Sequence, residues 1–271
     1  VKDAPYETTI DRALWAGFEA DRLGYAFVGG YFSALERLLG ERSTVRRCLA
    51  ATESGGAHPK AIQTKLEDGA LNGEKTFATL ATHAEELLVV ATIGLAADGR
   101  NQLVLLKVPA NAKGVTIAPR APTPFAPEIP HARVKLENVQ TWTALAGDAY
   151  TNYLKPFRTI EDTHVLGATL GYLLAVARRS GWSHAFVEGA LAGIVALRAV
   201  AAASPLDPRH HLVLSGIFTA LRRLIAEHEG EWGKADAAER ERWQRDVGLL
   251  LVAEQARTKR TEAAWGTLAP S

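Results

Sequence analysis

One cysteine, Cys48, stands in 271 residues, so no disulfide can form within the chain. A lone cysteine goes with a reducing compartment, and a cytoplasmic protein is expected. An excess of one charge is also lacking. Lys and Arg number 31 against 30 Asp and Glu, a net charge of +1, which leaves nothing to neutralise a phosphate backbone. Nucleic acid is therefore not an expected partner. Long apolar runs are missing too. The opening VKDAPYETTIDRALW has no signal-peptide core, and Val165 to Ala177 and Ala185 to Ala203 are interrupted by Gly, Arg or Glu. Neither gives the unbroken run of about 20 residues that spans a bilayer, so no membrane partner is expected. There is no Gly-x-Gly-x-x-Gly loop, P-loop, serine nucleophile elbow or internal repeat.

What remains is ordinary globular material, 47% apolar and 23% charged. Its texture changes twice. Residues 9 to 47 carry helical spacing (Ile10, Leu14, Phe18; then Leu35, Leu38, Leu39), with a break or kink expected at Gly29-Gly30. From 48 to about 147 the runs are short and β-branched. Ala61–Leu66 alternates, Leu87–Ile93 reads as a buried strand, and Gln102–Val108 returns from a hairpin tip at Ala97–Asn101. Val115–Ile117 and Ala132–Leu136 add two strands, and bends are expected at Glu67–Gly69 and Leu71–Gly73. Strands without intervening helices predict an antiparallel barrel or sandwich. From 148 to 271 four helices are expected: Tyr150–Arg179, Ser183–Ala203, one capped by Asp207-Pro208, and one opened by Asp236 and Glu239 at capping-box spacing. The fold class is α+β: a helical region (1–47), a β-domain (48–147) and a four-helix bundle (148–271).

Four stretches, in order, resemble the acyl-CoA dehydrogenase family. Thr52-Glu53-Ser54-Gly55-Gly56-Ala57 is similar to its Thr-Glu-Pro-Gly-Ala-Gly loop, and Leu71–Thr79 (LNGEKTFAT) to its Leu-Asn-Gly-x-Lys-x-Trp-Ile-Thr. Val134–Val139 resembles the strand closing its β-domain. Phe157–Asp162, with Leu166–Gly171 behind, resembles the first helix of its C-terminal bundle. The resemblance implies a shortened member with a truncated N-terminal helical region, a middle antiparallel β-barrel that binds FAD, and the bundle. It implies α,β-dehydrogenation of an acyl-CoA or related acyl thioester, by a homodimer or homotetramer. The alternative is a catalytically inactive subunit or binding protein working with a full-length partner.

By this resemblance the cofactor residues are Ala51, Thr52, Ala57, His58, Phe77, Ala78 and Thr79. A flavin ring requires hydrogen-bonding groups at its polar edge and an apolar wall on its face. Thr52 and Thr79 offer hydroxyls, Phe77 stands where the family has Trp, and Gly55, Gly56 and Ala57 let backbone approach a phosphate. The residues alone also allow a plain hairpin with strand threonines. His58-Pro59 departs from the family's Ser-Asp, and Ser54 from its Pro. The usual catalytic glutamate lies in a loop beyond Trp265–Leu268; a minority of the family carries it on the bundle's first helix, where Glu161 aligns. Glu161 is thus the candidate base, although acids in an early helical turn also suit the helix dipole. Asp162 falls where the family has Arg, so an orienting cation is expected to be missing.

Other candidates read more plainly. His210 and His211 are adjacent, point apart on a helix and lack ligand partners at useful spacing, so no metal is expected. His164 shares a face with Glu161, but a packed or solvent-facing histidine is the default. Arg178-Arg179 and Arg222-Arg223 are read as solvated faces or local ion pairs, and Cys48 has no His-Asp partner nearby in sequence for a nucleophile's role.

Overall fold

A computed structural model describes residues 6–97 and 99–268, so Asp98 of the expected hairpin tip and the first five residues lie outside the described residues. The elements in order are α1 (Thr9–Phe18), α2 (Leu23–Leu39), β1 (Arg47–Ala50), β2 (Lys65–Glu67), β3 (Ala70–Thr79), β4 (Glu86–Leu95), β5 (Asn101–Pro109), β6 (Val115–Pro119), β7 (His131–Val139), β8 (Thr143–Ala144), α3 (Lys155–Ser180), α4 (His184–Ala202), α5 (Arg209–Glu227), α6 (Ala237–Asp246) and α7 (Glu254–Leu268). Contacts divide them into two compact units. One comprises residues 42–123 and 127–155 and holds the described strands; the other comprises the residues up to 41, 124–126 and those from 156 on, and holds the helices.

The strands form one sheet in the order β6-β7-β3-β2-β4-β5-β8, with β1 also against β4. The expected closed antiparallel barrel is corrected here. The sheet is open and mixed, because β1 and β2 both run parallel to β4. Residue alternation reports which face a strand buries, not the direction of its neighbour; β1 reaches β4 only after a long crossover. The expected buried strand is found at β4, buried from Leu87 to Thr92, but Ile93, counted in it, is 49% exposed. The turn at Asp68-Gly69, with φ of 49° and 75°, joins β2 to β3 as a two-residue hairpin. Asn72-Gly73, expected to bend, instead lies inside β3. Gly73 has φ 150°, and a side chain there would meet Thr64 at 2.6 Å, so close packing rather than a turn requires the glycine.

A bulge then re-aims the end of β3. Lys75 pairs with Val134 and Ala78 with Ala132, three steps on β3 against two on β7. Lys75 and Ala78 therefore both point inward, fully buried, while Phe77 between them is turned out and 37% exposed.

In the helical unit α2 runs unbroken through Gly29-Gly30, against the expected break. Packing explains the pair. A β-carbon on Gly29 would strike the Ala16 side chain, and one on Gly30 would lie 2.9 Å from the His164 carbonyl oxygen of α3. Gly17 of α1 and Gly171 of α3 do the same for α1 against α3: a β-carbon on Gly17 would collide with the Ala168 carbonyl, and one on Gly171 with the Leu14 carbonyl. Because backbone cannot yield as a flexible side chain does, Gly17→Ala is expected to cost about 1–3 kcal/mol or more. An unchanged urea midpoint for that variant would contradict this packing.

The helix expected from Asp236 to about Leu268 is two helices. Asp236 does cap the first, accepting from the amides of Ala238 and Glu239. A 3-10 turn at Val247–Leu251 and a left-handed Ala253 (φ 62°) then separate α6 from α7, so five α-helices rather than four follow the sheet among the described residues. Asp246, wholly buried at the end of α6, accepts from the Ala126 amide at 2.7 Å and anchors this break. Trp232 stacks on Trp243 at 4.8 Å and meets Trp182 edge-on at 4.9 Å, forming the aromatic centre of the unit. By length and composition α4 is apolar enough to cross a membrane, which its Glu188 and Arg198 did not suggest. Phe186, Ala190, Ile194 and Leu197 of α4 nevertheless form a core-facing stripe at helical spacing.

Candidate functional site

Three of the expected cofactor residues meet at one end of β3. Thr52 forms an antiparallel bridge with Phe77, and its carbonyl accepts from the Thr76 amide at 2.9 Å. Thr79, two residues on, pairs with His131 of β7. Neither the Thr52 nor the Thr79 hydroxyl has a partner among the described residues. Phe77 lies on His131, ring centroids 4.2 Å apart and planes tilted by 27°. The guanidinium of Arg120 sits 5.5 Å from the centre of the Phe77 ring and donates to the Thr76 carbonyl at 3.0 Å. The His131 imidazole has a buried Nδ1 without a partner; burial and the Arg120 charge hold its pKa below the ordinary histidine value.

The loop that carries Thr52 is held from inside. Glu53 and Gly56 exchange both backbone hydrogen bonds, closing a tight turn over Ser54-Gly55. The Glu53 carboxylate accepts from the Gln63 amide at 2.7 Å, the Thr64 amide at 3.1 Å, the Thr64 hydroxyl at 2.7 Å and the Lys75 ammonium at 2.6 Å. Lys75 also donates to the Val90 carbonyl at 2.6 Å. Burial by itself would raise the Glu53 pKa, but the Lys75 charge and these donors hold it below the usual carboxylate value. Burial pushes Lys75 down to about 8, against the pull of Glu53. This ion pair fixes where Thr52, next in the chain, sits.

The remaining expected residues divide by what they expose. Ala51 and Ala78 are buried, so only their backbone is available to a ligand. His58 uses Nδ1 to accept from the Lys60 amide at 3.2 Å, capping the short turn Pro59–Ala61. It thereby takes the capping part a small hydroxyl could play. The space beside Gly56 is open, and its φ of 99° suits glycine. Two free hydroxyls, an exposed ring on a stacked support and an open backbone turn fit a flat ligand with a polar edge, as a flavin is. Sequence reading missed His131 and Arg120, and no local pattern marks either; only the β3–β7 and β6–β7 registers bring them to Phe77.

Glu161 belongs to the helical unit. It lies on α3 and makes no hydrogen bond or ion pair among the described residues. Burial, then the adjacent Asp162 charge, raise its pKa to about 8, while Arg260 pulls the other way. Asp162 is bound by two arginines of α7, Arg260 at 2.6 Å and Arg257 at 3.4 Å. Asp162, standing where the family has Arg, is thus itself paired with cations of α7, 95 and 98 residues along. His164, on the same face, is closed off, its Nδ1 on the Ile160 carbonyl at 2.7 Å and Nε2 on the Thr9 hydroxyl at 2.8 Å.

Comparison with known proteins bears on the sheet and on the fold. Residues 48–139 match the acyl-CoA dehydrogenase middle domain, β1 to β7 of the sheet. "Probable acyl-CoA dehydrogenase YngJ" of Bacillus subtilis (strain 168) is 30% identical over 129 residues, 47% of this chain; the match spans about a third (34%) of that relative's length. Among solved structures, FkbI, of methoxymalonyl extender-unit biosynthesis for the polyketide Fk520, aligns over 99% of this chain and 88% of its own, with TM-score 0.69 and 18% identity. Butyryl-CoA dehydrogenase from Megasphaera elsdenii aligns over 94% and 80%, with TM-score 0.67 and 14% identity. At those identities the structures speak for the fold, and the sequence match speaks for the sheet. Residues 48–139 thus carry the acyl-CoA dehydrogenase middle domain, and the chain shares the fold of these structures.

Proposed function

We propose that this chain is an FAD-dependent oxidoreductase that introduces an α,β double bond into an acyl thioester, an acyl-CoA or a close relative, with Glu161 as the base. The observation that carries the reading is the convergence of Thr52, Phe77 and Thr79: two hydroxyls without partners beside one outward-turned ring. FAD, when bound, supplies the acceptor for the hydride that leaves the β carbon. The Thr52 and Thr79 hydroxyls would hydrogen-bond its polar edge, Phe77 would wall its face, and the backbone at Ala51, Ala57 and Ala78 would line it, with His58 shaping the loop. The Glu161 carboxylate, ionised, takes the α proton of the thioester. A cytoplasmic location belongs to the same reading.

A homo-oligomer through α4 and α5 accompanies it. Leu191 and Val195 of α4 and Val213 of α5 are 50%, 66% and 44% exposed, and an apolar groove of about 510 Å³ separates the two helices. The deciding experiment is the visible spectrum of the purified protein after incubation with FAD. A retained flavin spectrum that bleaches on adding an acyl-CoA is expected, with light scattering giving a dimer or larger. A colourless protein after desalting defeats the flavin reading and leaves the inactive relative in its place; a monomer at micromolar concentration defeats the oligomer.

A further inference from the structure

We propose that Arg120, Phe77 and His131 form one ligand shelf, in which His131 is a positioning residue that holds the Phe77 ring flat and Arg120 supplies the cation that favours an electron-rich, anionic ring. The inference rests on the flavin reading above and assigns work to two residues outside the family-like motifs.

The bulge in β3 turns Phe77 toward solvent, where an unsupported ring would lose binding energy to its own rotamer freedom. His131 removes that freedom. It lies under the ring at 4.2 Å with near-parallel planes, while Phe77 keeps 37% of its surface exposed. The support is itself electrically neutral: burial and the neighbouring Arg120 disfavour a charged imidazole, and its buried, unpartnered Nδ1 is best left without a proton. That makes Arg120 the single charge of the shelf. The guanidinium is tied by the Thr76 carbonyl and lies against the Phe77 ring, with no carboxylate partner among the described residues. An uncompensated cation beside an open aromatic surface selects for negative charge on whatever stacks there. Two-electron-reduced flavin that has lost its N1 proton carries that charge; oxidised flavin does not. The shelf therefore binds the ring in both states and favours the reduced one.

The test is titration of the apoprotein with FAD, followed by flavin fluorescence, together with dye-coupled measurement of the midpoint potential. Wild type, His131→Ala, His131→Phe and Arg120→Gln are compared, with circular dichroism melts as the folding control. His131→Ala is expected to weaken FAD binding roughly three- to tenfold, the worth of one aromatic pair. His131→Phe, which keeps a stacked ring, restores it. Arg120→Gln is expected to shift the midpoint potential to a more negative value while FAD stays bound. If wild type binds FAD and the folded variants match it in both affinity and potential, the shelf is overturned and the flavin reading stands. If wild type binds no FAD, the flavin reading itself has failed. Should His131→Ala not fold, the potential of Arg120→Gln decides: no shift overturns the proposal.

Discussion

Glu161→Gln is expected to lower the rate of acyl-CoA oxidation by two to four orders of magnitude, the usual worth of a positioned general base, while FAD remains bound. Glutamine keeps the shape and removes the proton acceptor. Full turnover in this variant would remove Glu161 from the mechanism. The wild-type pH profile carries a second signature. The carboxyl acts as a base only when ionised, and burial with the Asp162 charge lifts its pKa to about 8. The rate should therefore rise with pH through that region and level off above it. Arg260 opposes the shift, so Arg260→Gln is expected to move the inflection higher. Stability should run the other way. The folded chain holds a proton here that the unfolded chain releases from its ordinary value of 4.5, so this contribution to stability is complete below pH 4.5 and is lost as pH rises through 8. Glu161→Gln abolishes that dependence, which urea melts at a series of pH values would reveal.

Lys75→Met is expected to destabilise the β-unit by roughly 3–5 kcal/mol, because it strands the Glu53 carboxylate inside the protein without its cation. The Lys75 side chain has no exposure at all and that of Glu53 only 6%. Glu53→Gln should cost a comparable amount by leaving the ammonium buried with the Val90 carbonyl and a neutral amide. Removing both charges together should cost less than the sum of the single changes, since the penalty comes from an unpaired ion rather than from the loss of attraction. Additive costs in denaturant melts would rule out that coupling. Flavin affinity should fall with either single change, because the ion pair sets the loop that presents Thr52. The network also explains the lysine of this motif: its ammonium clamps the loop from inside, on Glu53 and the Val90 carbonyl.

Much of the secondary structure was legible in the chain because it depends on neighbours a few residues apart. The run Leu87–Thr92 buries both faces of β4, alternation marks β7, and Asp236 caps α6, all as their local patterns require. The family-like motifs fell in the right order, which sufficed to bring Thr52, Phe77 and Thr79 together on paper. Contacts between distant segments decided the rest. The direction of β1 and β2 against β4 turned an expected barrel into an open mixed sheet. Gly29-Gly30 and Asn72-Gly73 were punctuation in the sequence and packing surfaces in the fold, since a missing side chain serves a bend and a close approach equally well. Lys75 became a buried ion pair, Asp162 found its cations on α7, and His131 and Arg120 reached Phe77 through strand register alone. These are the features with chemistry in them. The motif order named the loop and strand of the proposed site; only long-range pairing, which has no local signature, set the charges and the supporting ring around them.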